Sequence, residues 1–442
     1  MKRNYKIILK VITFFFLFFL LSFPVSWILK DDSNSYARAM FHEFYRQKNI
    51  DYLICGASHV SHGLHPEIAS SYFGKNVFNC GTPSQKIDGT YSILRQALRL
   101  YKIEKVFLEL DFAITCEGNF SDRDGFKAEY IVADGLRDFD IKKDYLLNCS
   151  KTKFYFNHIL PIGKDKLLTL NPSKVIKKIK SLLSGDYFKY RYGDEDSQYG
   201  SRGCVLDVEC IPKGGFYNDH KESPINVDRI SRDWENTIDK IIDLCRQNNI
   251  ELIFYSMPGS DFYLNERGNY DEYYLYCKNF CAQRGYVYYD FNLAHPDILS
   301  LSDMDYSDDN HLCKKGVYNW TEAFCSFFDR KYKEENVLSK YFYSSYLKKM
   351  ADMEAKVFGL YLILSDDKKF LEIIPVKNKL TPQEIKYSIT EISDGREVVI
   401  QDKSSDTKID LSKIGAEKVE LRIESFANDI LQTSCEESYL IF

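Results

Sequence analysis

Three short stretches that read as strands, at 51–55, 75–80 and 105–112, are separated by segments of helical spacing, and this alternation restricts the fold more than any other feature. Pro66 opens a short helix between the first two runs. Between the second and third, Ile87, Tyr91, Leu94, Leu98 and Tyr101 recur three and four apart, the stripe of a helix packed on a sheet. Strand, helix, strand, helix, strand implies right-handed crossovers and a parallel sheet. The pattern breaks after Ala113 and resumes near Val227, with helices expected at 234–248 and 270–284 and strands at 251–256 and 286–290. Five strands with intervening helices predict a flavodoxin-like three-layer α/β fold, ordered 2-1-3-4-5. The interruption at about 113–227 reads as a large insertion at the carboxyl edge of the sheet. It is either a lid or acceptor-binding surface or a purely structural addition.

The ends of the chain have other characters. Val11 to Leu29 carries no charge, with Lys2, Arg3, Lys6 and Lys10 before it and Lys30, Asp31 and Asp32 after it. That run predicts a transmembrane anchor over 1–30, its amino end cytoplasmic and everything beyond it outside. A cleaved signal peptide is the rival reading, but the Ser-Phe-Pro-Val-Ser-Trp stretch offers no small-x-small site. After an α/β domain over 31–335, short strands at 357–364, 370–376, 385–392, 397–401, 418–423 and 439–442 predict a small β-sandwich-like domain over 346–442. Its role is glycan binding, partner docking or structure alone. With 59 basic against 64 acidic residues and no basic stripe, a nucleic-acid partner is excluded. Of twelve cysteines, Cys55, Cys80, Cys245 and Cys325 sit singly in apolar segments and read as small buried hydrophobes. Cys204 and Cys210 are close enough in sequence to pair, and Cys277 and Cys281 share a helix face.

The first strand leads into Gly56-Ala57-Ser58, a sharp turn that leaves Ser58 at the carboxyl edge of the sheet, where open α/β folds bind ligands. A serine there can attack with its hydroxyl while its own amide binds an oxyanion. Far downstream, Tyr306-Ser-Asp-Asp-Asn-His-Leu-Cys-Lys-Lys-Gly316 holds Asp308 and His311 three apart. The set supplies nucleophile, base and orienting acid. His59, His62 and His65 also recur every third residue, but no acidic or cysteine cluster completes a metal site, so neither metal nor cofactor is expected. Cys55 as a nucleophile is remote, since its side chain should point into the packing of the sheet.

These blocks resemble the SGNH (GDSL-type) hydrolase superfamily over about 50–115 and 228–330. Gly56-Ala57-Ser58 is similar to its first block, Val77-Phe-Asn-Cys-Gly81 to its second and Asp308-x-x-His311 to its last. Asn79-Cys-Gly-Thr-Pro-Ser-Gln85 looks like the membrane-anchored bacterial branch that includes proteins of alginate O-acetylation and teichoic acid D-alanylation. One block departs: where the superfamily has an oxyanion-donating Asn, this chain has Leu108-Glu-Leu-Asp-Phe112, and an ionised Asp111 cannot donate. The resemblance implies an SGNH hydrolase fold and a membrane-anchored serine esterase or O-acyltransferase. It would move an acetyl-type group on an extracytoplasmic cell-surface polysaccharide through an acyl-serine. Ser58 would be nucleophile, His311 base and Asp308 its orienting acid, with the amides of Ser58 and Gly81 holding the oxyanion and a separate membrane protein delivering the acyl group. The alternative is a catalytically inactive glycan-binding or assembly protein on the same fold, which Asp111 motivates.

Overall fold

The apolar run at the start of the chain forms one long helix, α1 (Lys2–Leu29), whose side chains from Tyr5 to Leu21 are exposed. The stretch Tyr5–Leu29 has 25 residues and a mean hydropathy of 2.4. At about 1.5 Å per residue it is long and apolar enough to cross a membrane. This computed structural model describes residues 2–33, 35–116, 125–149, 168–193, 197–208, 224–308, 310–353, 356–381, 383–393, 396–411 and 418–440. They form two compact units, Met1–Leu206 with Asp228–Ile253, and Asp207–Val227 with Phe254–Phe442.

In the first unit α1 leads to α2 (Tyr36–Phe44), which buries Met40, Phe41 and Phe44, and then to strand β1 (Tyr52–Cys55). A single turn, α3 (Ser58–Ser61), precedes α4 (Pro66–Phe73), which has Pro66 in its first turn and a left-handed Gly74 at its end. Both are standard helix punctuation. Next come β2 (Val77–Asn79), α5 (Ile87–Leu100) and β3 (Lys105–Glu109). β1 pairs in parallel with β2, Tyr52 opposite Val77, and with β3, Tyr52 opposite Lys105. Every residue of these strands but the half-buried Tyr52 is buried, because a parallel sheet is covered on both faces. α5 lays Ile93, Leu94 and Ala97 onto the core.

The third strand stops at Glu109 rather than at 112. Asp111 caps α6 (Phe112–Thr115), its Oδ1 accepting from the Ala113 amide at 3.0 Å. An aspartate is a strong N-cap and a poor strand residue, so the chain turns here. The expected insertion then supplies α7 (Gly125–Gly135), α8 (Phe139–Cys149), α9 (Pro172–Ser184), β4 (Ser197–Tyr199) and β5 (Val205–Asp207). α9 is joined to the end of α1. Lys178, buried, donates to the carbonyls of Trp27 and Lys30 at 2.6 Å each and pairs with Asp32 at 2.7 Å. The first unit closes with α10 (Arg232–Gln247), begun by a Ser231 cap. Strand β6 (Glu251–Ser256) spans the division between the units.

The second unit continues with α11 (Asp261–Arg267), α12 (Tyr270–Gln283), β7 (Tyr288–Asp290), α13 (Lys314–Arg330), α14 (Val337–Tyr341) and α15 (Tyr346–Asp352). The five-stranded sheet runs β2-β1-β3-β6-β7, and β6 and β7 pair in parallel. Beyond Tyr346 the strands are β8 (Val357–Leu364), β9 (Phe370–Lys377), β10 (Ile385–Ser393), β11 (Arg396–Ser404), β12 (Lys408–Asp410), β13 (Lys418–Ala427) and β14 (Ile430–Leu440). They form two antiparallel sheets, β11-β10-β13-β14 and β12-β9-β8. Alternate residues Leu360, Leu362, Leu371 and Ile373 of one sheet share a core with Tyr387, Ile389, Leu421 and Ile423 of the other. The last strand begins nine residues earlier than the 439–442 expectation. Asn428 and Asp429, both at positive φ, make the tight turn that pairs β14 along β13.

Candidate active site

β1 delivers its chain end into a crowded turn. A Cβ on Gly56 would lie 2.3 Å from Val60 Cγ2 and 2.6 Å from Glu109 Oε2, so glycine is required for the turn to pass. Ala57 caps α3, and Ser58, partly exposed, is its first residue. The turn after Ser58 is fixed by its own backbone, with the His62 amide donating to Ser58 O at 2.8 Å. Gly81 stands against it: a Cβ there would be 2.5 Å from Ala57 O and 2.8 Å from the Ser61 amide. The structure therefore packs Gly81 against the turn that carries Ser58.

Asn79, at the end of β2 and fully buried, ties these pieces together. Its Nδ2 donates to Val60 O at 2.7 Å and to Leu64 O at 3.1 Å, while its Oδ1 accepts from the Gly81 amide at 3.0 Å. The Gly81 amide, expected to help hold an oxyanion, is thus already committed to a side chain. A turn of the insertion closes on the same residue. The Asn79 amide donates to Arg202 O at 2.9 Å, and a Cβ on Gly203 would fall 1.8 Å from Asn79 O. Sequence reasoning gave Asn79 only as part of a block. Its amide side chain, with two donors and an acceptor, is what the crowded turn uses.

The neighbours of Ser58 diverge. His59 Nδ1 lies 2.7 Å from Glu109 Oε1, both side chains buried. His62 sets its ring edgewise to Tyr36, and burial holds His65 below the usual histidine value. Among the described residues no three His, Cys, Asp or Glu side chains group as metal ligands. Burial also pushes the Cys55 thiol well above its ordinary range, which removes its nucleophilic form. Asp111, capping α6, accepts an amide and presents no donor there.

In the second unit Asp308 and His311 are brought together as expected. His311 Nδ1 lies 2.6 Å from Asp308 Oδ2, and Asp308 Oδ1 accepts from the amides of Asn310 at 3.0 Å and His311 at 2.8 Å. One carboxylate thus sets both the backbone and the ring of His311. Below it, a bridge between Tyr306 and Leu312 closes the loop, with the Ser307 amide donating to His311 O at 2.9 Å. Ser307 Oγ donates to Asp207 Oδ2 at 2.8 Å, a support from β5 that the sequence did not reveal. Buried Asp305 anchors the other side, accepting from Asn319 Nδ2 at 2.9 Å. Gly316 is forced, since a Cβ would lie 1.9 Å from Asp305 O.

Of the two cysteines close enough in sequence to pair, Cys204 is buried with its thiol donating to Val205 O, and Cys210 lies outside the described residues. Cys313, two residues after His311, is disulfide-bonded. Ser58 and Gly81 belong to the first unit, Asp308 and His311 to the second. The sequence matches no protein-family model, and a search of curated proteins finds no relative.

Proposed function

We propose that this chain is a membrane-anchored serine esterase or O-acyltransferase with an SGNH-type fold. It acts outside the cytoplasm on an acetyl-type ester of a cell-surface polysaccharide. The observation that carries the reading is the grip of Asp308 on His311. With Nδ1 turned to the carboxylate, the ring is oriented and its cation stabilised, and Nε2 is the nitrogen that exchanges protons with a reacting hydroxyl. A serine that opens a helix at the carboxyl end of β1, in a sheet ordered β2-β1-β3-β6-β7, supports the nucleophile assignment. Ser58 attacks the ester carbonyl and passes its proton to His311. The alcohol leaves with that proton, and water or a sugar hydroxyl then takes the acyl group from Ser58. The disulfide at Cys313 supports an oxidising compartment, hence export behind the α1 anchor with the amino end in the cytoplasm.

A serine-directed fluorophosphonate probe on the full chain in membranes tests the chemistry. Labelling should vanish in Ser58→Ala and fall at least a hundredfold in His311→Ala, and labelling that persists in Ser58→Ala refutes the assignment. The second reading, an inactive glycan-binding or assembly protein on the same fold, draws on two observations. Asp111 caps α6 instead of donating, and the Gly81 amide is held by Asn79. A folded chain with no labelling at any serine decides for it.

A further inference from the structure

We propose that the membrane end of the first unit is a binding site for the phosphate of a lipid headgroup. The site goes beyond the acyl-transfer reading and rests only on its membrane-anchor part. A cavity of about 340 Å³ lies where the last turn of α1 meets α2 and α7, with Trp27, Arg38, His42 and Arg137 in its wall. That volume is within the range of small-ligand sites, about 300–1,000 Å³.

The charges around this cavity do not cancel. Each acid at its rim has a lysine of its own: Asp31 pairs with Lys174 at 2.7 Å, Asp32 with Lys178 at 2.7 Å, and Asp134 with Lys30. Glu43, nearby on α2, is turned to the Tyr199 hydroxyl and the Arg202 amide. Arg38 and Arg137 have no carboxylate partner among the described residues. Instead the Arg38 guanidinium lies 3.5 Å over the Tyr187 ring and donates to Tyr187 O, and Arg137 lies 3.7 Å over the Tyr45 ring. Stacking holds two planar forks in place without neutralising them, the arrangement that suits a tetrahedral oxyanion. His42, stacked on Tyr190 at 3.7 Å, registers the excess. Burial first, then the charges of Arg46, Arg137 and Arg38, hold it below the usual histidine value.

The source of the phosphate follows from what surrounds the cavity. Trp27 belongs to the end of α1, where indoles sit at the headgroup level of a bilayer. α9, clamped to that same turn by Lys178, exposes Ile176, Ile179 and Leu183 on one face, Leu183 at 84 %. Leu170 and Phe188 are exposed beside it, and Lys174, Lys177 and Lys180 flank it. An exposed apolar face edged by lysines, at the exit of a membrane anchor, fits the lipid–water interface. The two arginines are therefore held at the depth of lipid phosphates.

The test uses the full chain in a non-ionic detergent, titrated calorimetrically with dihexanoyl phosphatidic acid below its micelle concentration. Inorganic phosphate and dihexanoylglycerol are run as the soluble and phosphate-free probes. Phosphatidic acid should bind saturably, at least tenfold more weakly to Arg38→Gln/Arg137→Gln, and dihexanoylglycerol should not bind. Should the double variant melt early, Arg137→Gln alone, an exposed site, should still weaken binding several-fold. Inorganic phosphate binding as tightly as phosphatidic acid overturns the lipid assignment. No saturable binding, or binding that the variants leave unchanged, overturns the site. Alkaline carbonate extraction of membranes reads the anchor separately. A chain that resists extraction yet binds neither phosphate probe refutes the site alone.

Discussion

Asn79→Ala removes a buried side chain that makes three hydrogen bonds, so its effect can be worked out group by group. Val60 O loses little, because it still accepts from the amides of Gly63 and Leu64. Leu64 O loses the Nδ2 donor and Gly81 N loses the Oδ1 acceptor, each worth about 1–3 kcal/mol when stranded in the interior. The expected loss is therefore about 3 kcal/mol, which lowers the melting temperature of a unit this size by roughly 6–12 °C. Asn79→Asp keeps the volume and the Gly81 bond but turns a second acceptor toward two carbonyls. That carboxyl is stabilised only when protonated, so its deficit against the parent should shrink as pH falls. Urea unfolding followed by circular dichroism reads both variants. Fluorophosphonate labelling of Asn79→Ala should also slow, since a shift of about 1 Å at a nucleophile is worth up to a hundredfold. A stability within about 0.5 kcal/mol of the parent would show that Asn79 does not hold the serine turn.

Three further outcomes are expected. Ser58→Ala and His311→Ala should each abolish turnover of an acetyl ester, with the double variant no worse than either; Asp308→Asn should lower it while leaving the melting temperature unchanged, and additive losses refute a shared step. Glu129 is buried with both carboxyl oxygens lacking a hydrogen-bond partner among the described residues, and burial, with the charge of Asp88, pushes its pKa up to about 8. The folded chain thus keeps a proton that the unfolded chain sheds near pH 4.3. Stability is greatest below that window and is lost as pH rises through about 8, and calorimetry should show Glu129→Gln flattening the slope between pH 5 and 8.5. Gly316→Ala meets backbone at 1.9 Å and should cost at least about 1–3 kcal/mol, whereas Gly74→Ala, with nothing near its Cβ, should cost only its left-handed strain of about 1–2 kcal/mol; equal melting temperatures for the two overturn this ranking.

The sequence made the central strands legible because a parallel strand covered on both faces is an uninterrupted apolar run, as Tyr52–Cys55 is. The stripe of α5 and the Asp308–His311 spacing were legible for the same local reason: each depends on residues within a few positions. What was missed is non-local or competes with a local signal. Asp111 falls inside the run at 105–112 that reads as the third strand, yet its carboxylate caps a helix. Asp207 gave no sign of supporting the histidine loop, since its bond to Ser307 joins residues a hundred positions apart. Proximity in sequence left a Cys204–Cys210 pair open, and nothing local marked Cys313 as disulfide-bonded. Asn79 needed the structure most, because the carbonyls it serves arise only once the serine turn is folded.

The clamp at the end of α1 bears on how far the protein can reach. Had α1 run into a supple leash, the folded part could sample a broad shell around the end of the helix. Lys178 instead locks the carbonyls of Trp27 and Lys30 to α9, and the Thr169 amide is bonded to Leu29 O at 2.8 Å. The helix is in effect a stalk welded to its head. The serine turn shares a unit with that stalk, so under the proposed function it would be carried at a set height above the bilayer, and a polymer would have to be brought to that level to be modified. Under the same proposal, rolling or tilting of the stalk would swing the serine turn with it, and bilayer thickness would become a lever on where the turn is presented.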